Sequence, residues 1–480
     1  MSARKLILLS LILYARSAIS QMDTVATMEI IQNSLEYPFY VLPAAENGLV
    51  IYRQKAGENE DEFNYFEFQV YDSNLERKWE SVVRMDFTLN VVHHTYASDH
   101  VYIVFSGVRN FKRRLFVYRL NVVTHAQENI EIETFFPDML SYFDVFGNNL
   151  VIGGIEKSKP SIVFYDLQDM KPVILQGFYE KNLTLFDIHV DEENELFTVT
   201  AGYLSNNRQN SLQIKSYDPH GMPVEDIRIQ PANGTDLLHA KSIIANHNYR
   251  LVSGVYRDKK SSTSGIFTAA ISLDGSRKTR FFPFGEIFNL YDSLRQQHGE
   301  KETVAYSLNE PVPEKVEWHV TDLGEFTEDN VFILESFFTE KGSSSFMDRE
   351  LIYYYQKALL IAVNDDLSIR GISQFGLSPI VSGRLKQNIY LRKYADNLTM
   401  LLFDRYMVVE KTVTQRYAGK PLVYTEMGDK DLRDYVDRED REDVLNFRYW
   451  YGDYYLLTGL LPSGGRDNSH ILVINKVYYP

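Results

Sequence analysis

The sequence predicts an all-β protein assembled from repeated four-stranded units. Three observations carry this. A polar turn followed by a short apolar strand recurs eight times along the chain. The strands after the first four turns start at Leu49, Val101, Leu150 and Leu196, spacings of 52, 49 and 46 residues, which is the length of four short strands with their connections. The composition is 14% aromatic, with 33 Tyr and 29 Phe, residue types that suit pleated, half-buried surfaces.

Taken in chain order, the N-terminus comes first. Arg4 and Lys5 precede a short apolar run, and Ala18-Ile19-Ser20 follows with small residues where a signal peptidase reads. Residues 1–20 are expected to be a cleaved signal peptide, with the mature chain starting near Gln21. The repeats follow. Glu46-Asn47-Gly48 precedes Leu49, Ser98-Asp99-His100 precedes Val101, Gly147-Asn148-Asn149 precedes Leu150, and Glu193-Asn194-Glu195 precedes Leu196. Asn246-His247-Asn248, Glu328-Asp329-Asn330, Asp396-Asn397 and Gly452-Asp453 continue the series. Asn, Asp and Gly tolerate the positive φ of tight hairpins, so each marks a turn between antiparallel strands. The next strand in each unit ends on an acid or amide, as at Asp72, Asn121, Asp166, Asp218 and Asp274. A fourth strand often comes after it, as at residues 78–83. Eight turn-strand pairs imply eight units, or seven if the irregular sixth or seventh is miscounted. The last unit, from about Asn446, ends after three strands. Residues 25–31 are expected to supply its fourth and remove an exposed edge.

This repeat architecture resembles the β-propeller superfamily across residues 25–480, with each unit a blade. No named blade family matches. The Trp-Asp blade ending and the double-glycine blade pattern are absent, and three Trp in the chain are too few for tryptophan-docking blades. The resemblance implies a single propeller domain over residues 21–480. It implies no particular activity, because propellers host many.

Three insertions interrupt the period, near 282–317, 339–348 and 428–446. In the first, Asn289 to Gln297 reads as a short amphipathic helix with Leu290 and Leu294 at i,i+4. The second contains Gly342-Ser343-Ser344-Ser345, a hairpin tip. The third, with Asp429, Asp431, Asp434 and Asp437, invites a calcium reading. It fails the helix-loop-helix calcium pattern because Arg433 stands fifth and Asp434 stands where Gly is needed, and basic residues interleave the acids. Insertions are where partner surfaces sit, since loops vary on a rigid scaffold. Phe288, Tyr291 and Leu294 are the candidate apolar anchors, with Trp450 in the aromatic segment 447–455 as a further candidate.

Signals for chemistry are sparse. His93-His94 on a strand would point to opposite faces and not share a metal. No His-Glu-x-x-His, Gly-x-Ser-x-Gly or phosphate-binding Gly-x-x-x-x-Gly-Lys occurs, and no catalytic residue, cofactor or metal is assigned. The formal net charge is −15, without the basic footprint of a nucleic-acid binder. The absence of Cys fits an exported bacterial chain and leaves no residue to carry a lipoprotein's lipid. No apolar run is long enough to cross a bilayer. The expectation is a non-enzymatic scaffold of the bacterial periplasm or cell envelope that binds a protein partner. Propellers resembling this one serve as accessory or plug subunits of secretion channels, including the type 9 system, so an outer-membrane channel is the partner the resemblance implies. The alternatives are a carbohydrate-active hydrolase with carboxylates in the central funnel, and a ligand-sensing propeller.

Overall fold

The structure is a computed structural model. It describes residues 23–479 apart from 34–36, 56–62, 110–111, 133–138, 206–208, 232–233, 246–248, 259–263, 273, 299–315, 327–328, 342–350, 383–386, 395–396, 405–406, 415–422, 427–444 and 463–468. The expected signal peptide, the 339–348 hairpin tip and the acidic 428–446 insertion lie wholly or almost wholly outside the described residues.

Among the described residues, thirty-two strands form eight four-stranded antiparallel sheets. Sheets 1 to 7 are simple meanders over residues 40–86, 90–132, 139–174, 183–229, 235–283, 317–382 and 389–426. Sheet 8 holds the three strands of residues 445–478, and its fourth is the N-terminal strand Asp23–Gln32. That strand pairs antiparallel with His470–Tyr478 from Asp23 opposite Tyr478 to Gln32 opposite His470. The count is therefore eight, and the expected completion by residues 25–31 holds. The chain forms two compact units. Sheets 1, 2 and 8 belong to the first, and sheets 3 to 6 with most of sheet 7 to the second.

Turn chemistry sets the strand boundaries. Between first and second strands, Gly48, Ser98, Asp99, Gly147, Glu195 and Gly452 all take positive φ, as tight hairpins require. Gly48 has φ 107, and a Cβ there would sit 1.9 Å from the Tyr71 carbonyl oxygen, so only glycine fits. Between third and fourth strands, the terminal acid or amide closes an Asx turn. Asp72 Oδ1 accepts from the Asn74 and Glu76 amides, Asp218 Oδ1 from those of His220 and Met222, and Asp166 Oδ1 from those of Gln168 and Asp169. Leu75 and Leu367 in these turns take φ 64, a conformation that costs a side chain about 1–2 kcal/mol. Both leucines are buried in core clusters, which offsets that cost by about 1.5–3 kcal/mol each.

The core is distributed, one apolar cluster between each consecutive pair of sheets inside a unit. Residues from Leu42 to Val122 fill the space between sheets 1 and 2. Leu49, Ile51 and Leu75 of sheet 1 meet Trp450, Leu456 and Ile474 of sheet 8. The second unit repeats this between sheets 3 and 4, 4 and 5, 5 and 6, and 6 and 7. The helix of the first insertion runs Phe284–His298, five residues earlier than the sequence expectation, because it starts directly where the last strand of sheet 5 stops.

Candidate functional site

A feature with no sequence signal recurs in the first strands. Register shifts mark a β-bulge in six of them, between Val91 and His93, Leu140 and Tyr142, Leu185 and Asp187, Leu237 and His239, Val320 and Asp322, and Tyr449 and Tyr451. Bulges re-aim the side chains beside them. The first strand of sheet 1, Tyr40–Pro43, has only four residues and no bulge. Pro38 lies just before it, and proline cannot donate to a ladder. The second strand runs on to Lys55, so Arg53, Gln54 and Lys55 have no rung on that side.

A cavity of about 190 Å³ lies in the first unit, between sheets 1 and 8. One wall is Pro38, Phe39, Tyr40, Val41 and Pro43 of the short first strand and its approach. The facing wall is Leu456, Thr458 and Leu460, alternate residues on one face of the strand Tyr454–Pro462, with Leu472 beside them. The polar contributions come from Arg448, His94 and Gln32. Arg448 donates to the Val41 carbonyl at 3.5 Å. The His94 ring packs edge-on against Tyr40 and Tyr52, and its Nδ1 lies 2.7 Å from the Tyr52 hydroxyl. Tyr52 is fully buried, and burial drives its ionisation far above the ordinary phenol range, so this hydroxyl keeps its proton. Gln32 is 7% exposed and its Oε1 has no hydrogen-bond partner. Tyr40 is 42% exposed, so the cavity reaches solvent along that edge.

A second constellation lies in the second unit. His239 follows the bulge in sheet 5 and His319 lies just before that in sheet 6, with ring centroids 6.2 Å apart. Phe186 flanks His239, and Phe337 flanks His319. Neither Nδ1 has a partner. Burial, then the neighbouring His319 and Lys241, pushes His239 down to about 3. Burial pushes His319 down to about 4, against an opposing backbone hydrogen bond at Glu335. Both rings are neutral at physiological pH. Lys241 is drawn to Asp187, 3.3 Å away on sheet 4, which leaves that carboxylate paired.

The sequence-predicted residues fall as follows. Phe288 and Tyr291 lie on the inserted helix, partly buried against the core between sheets 5 and 6. Phe288 stacks on Phe284 and lies 6.3 Å from Trp318. Leu294 is on the same helix, and its side chain lies outside the described residues. Trp450 belongs to the other unit. It is 3% exposed and donates its indole N–H to the Gly48 carbonyl at 2.8 Å. His93 and His94 go to different partners, His93 Nδ1 lying 3.1 Å from the His94 carbonyl. Sequence reasoning missed Gln32, Arg448 and Tyr40. Pro38 ahead of a four-residue strand was the one local signal for them.

No protein-family model matches this chain, and no curated protein matches it. Among solved structures it is similar to the β-propeller domain of the Trilobed protease from Pyrococcus furiosus, at 10% identity over 71% of this chain and 96% of that one, TM-score 0.31. It is similar to the periplasmic gluconolactonase of Pseudomonas aeruginosa at 10% identity over 81% and 96%, TM-score 0.35. It is also similar to a polysaccharide lyase at 9% identity over 94% and 99%, TM-score 0.40. What decides the fold is the eight four-stranded antiparallel sheets themselves. The chain is an eight-bladed β-propeller. Its neighbours differ in activity, and likeness at this level carries none of their chemistry to this propeller.

Proposed function

We propose that this propeller is a non-enzymatic binding scaffold of the bacterial envelope that captures a protein partner, with a secretion-channel component as the partner class. The observation that carries the reading is the inserted helix Phe284–His298. It adds no strand to any blade, yet Phe284, Ile287, Phe288 and Tyr291 fasten one side of it to the core between blades 5 and 6. The other side presents Glu286, Asn289, Asp292 and Ser293 to solvent. An element that completes no sheet but is held in place by aromatic side chains is built to present a surface. On this reading Phe288 and Tyr291 anchor the helix, and its polar side makes the contact.

Charge reversal tests it. Glu286→Lys with Asp292→Lys touches only exposed positions, so the melting temperature should stay within about 2 °C, as surface changes of under 0.5 kcal/mol predict. Recovery of envelope proteins on the immobilised propeller should fall several-fold and become less salt-sensitive, since rim charges govern association rate. Unchanged recovery of the same proteins by the doubly reversed chain counts against the helix as the contact surface.

A further inference from the structure

We infer that the N-terminal strand Asp23–Gln32 pairs edge to edge with the same strand of a second copy, so that the propeller self-associates through blade 8. The inference stands apart from the partner surface on the inserted helix, which lies in the other unit. The open edge is the first reason. Asp23–Gln32 is the terminal strand of its sheet, and among the described residues it pairs only with His470–Tyr478. Its other side is a row of backbone donors and acceptors, which templates pairing with another strand unless something blunts it.

The second reason is that the other outer strands are blunted and this one is not. Those of blades 3 and 7, Lys171–Ile174 and Val423–Glu426, have only four residues. Those of blades 4, 5 and 6 contain Pro223, Pro283 and Pro379. The outer strand of blade 1 carries Arg77, Lys78, Glu80, Arg84 and Asp86, and that of blade 2 carries Glu128 and Glu131. Short length, proline and charge are the usual devices against pairing between molecules. Asp23–Gln32 has ten residues, no proline, no lysine or arginine, and two acids. Its bulge between Thr24 and Ala26 leaves Ala26 to Gln32 in regular register. Ile31 is 67% exposed, the highest value for a large apolar side chain among the described residues.

Self-complementarity commits the edge to a second copy. A two-fold relating two antiparallel strands keeps each face on its own side of the joined sheet, so the axis passes through a residue. Centred on Met28, the pairing sets Ala26 opposite the partner's Ile30 and Thr27 opposite the partner's Glu29. Beyond the bulge, Val25 comes beside the partner's Ile31. No like charges meet. Centring on Glu29 would put two carboxylates directly opposite, which is destabilising. Centring on Thr27 would set Ile31 against the partner's Asp23 and Val25 against the partner's Glu29. Such an isologous contact closes at two copies. A one-strand ladder is smaller than a standard interface, and two chains of net charge −15 repel, so the dimer is weak, with Kd on the order of 10 μM.

Sedimentation of residues 21–480 tests this in about 0.15 M salt, where a Debye length of about 8 Å screens the repulsion. A monomer–dimer equilibrium should appear between about 1 and about 100 μM, and hydrogen exchange over residues 23–32 should slow as concentration rises. Thr27 is exposed, and its one side-chain bond, to Asn475, is lost in either variant below. Thr27→Lys meets the partner's Glu29 twice across the two-fold and should tighten the dimer several-fold, whereas Thr27→Glu should loosen it several-fold. On an edge that pairs with nothing, the same lysine would only blunt it further. If a variant fails to fold, the concentration dependence of exchange in the unaltered chain decides alone. A chain still monomeric at about 100 μM overturns the inference and leaves the edge to a strand of another protein. A dimer whose residues 23–32 exchange as in the monomer, or one that Thr27→Lys loosens as Thr27→Glu does, overturns it too.

Discussion

At the residue scale, three buried ionisable groups, one carboxyl and two imidazoles, govern the response to acid, and the carboxyl acts against the imidazoles. Glu335 is fully buried and accepts from the Asn388 amide, its Nδ2 and the Ile389 amide at 2.9, 2.7 and 3.0 Å. It joins blade 6 to the start of blade 7. Burial raises its ionisation range, and those hydrogen bonds recover part of the shift. A carboxyl raised in the folded state contributes stability at low pH that is lost as pH rises through the window above its unfolded value. His239 and His319 act the other way. Their folded values of about 3 and about 4 lie below the ordinary 6.5, so the unfolded chain binds more protons as pH falls from that value. Each imidazole then costs the fold about 1.4 kcal/mol per pH unit. The pair outweighs the single carboxyl between pH 6.5 and 5. The melting temperature should therefore fall over that interval, and His239→Phe should roughly halve the histidine-driven part of the fall. Parallel melts at pH 7 and pH 5 read this directly, and an identical acid limb in His239→Phe would remove His239 as the cause.

At the element scale, the N-terminal strand Asp23–Gln32 is the fourth strand of blade 8 and covers the edge of His470–Tyr478. Thr27 Oγ1 also donates to Asn475 Oδ1 at 2.7 Å. Much of this strand is exposed, Val25 at 53% and Ile31 at 67%, so its contribution lies in the ladder more than in burial. Deleting residues 23–33 strips that ladder and bares an edge carrying Ile471 and Val473, a template for pairing between molecules. The truncated chain should melt more than about 5 °C lower and scatter light on heating. A truncated chain that melts like the intact one would mean blade 8 stands on three strands.

At the scale of the whole molecule, all eight blades are complete without residues 299–315. The helix before that segment is fastened by Phe284 and Ile287, in its first turn. Replacing 299–315 by a short Gly/Ser turn should change stability by less than about 1 kcal/mol, because loop-closure entropy varies slowly with length. A denaturant melt checks it, and a shift of several kcal/mol would show that the segment supports the framework. The sequence alone determined the repeat and the completing strand, and narrowed the count to eight or seven; the pairing of the strands settled it at eight. These rest on turns encoded in three or four consecutive residues, such as Gly48 or the Asp218 turn, and on an unpaired apolar stretch at 25–31. Only the tertiary structure decided what those strands enclose. The bulges beside His93, Asp187 and His239 come from twist and packing, which leave no local pattern. Phe288 and Tyr291 read as apolar anchors in the sequence, and only the tertiary structure supplies the core between blades 5 and 6 against which they pack. Pro38 stops a strand locally. The cavity beside it is walled in part by Arg448 and Leu456, some 400 residues away in the chain. Dihedral preference is a property of neighbours in sequence, whereas a void is a property of neighbours in space.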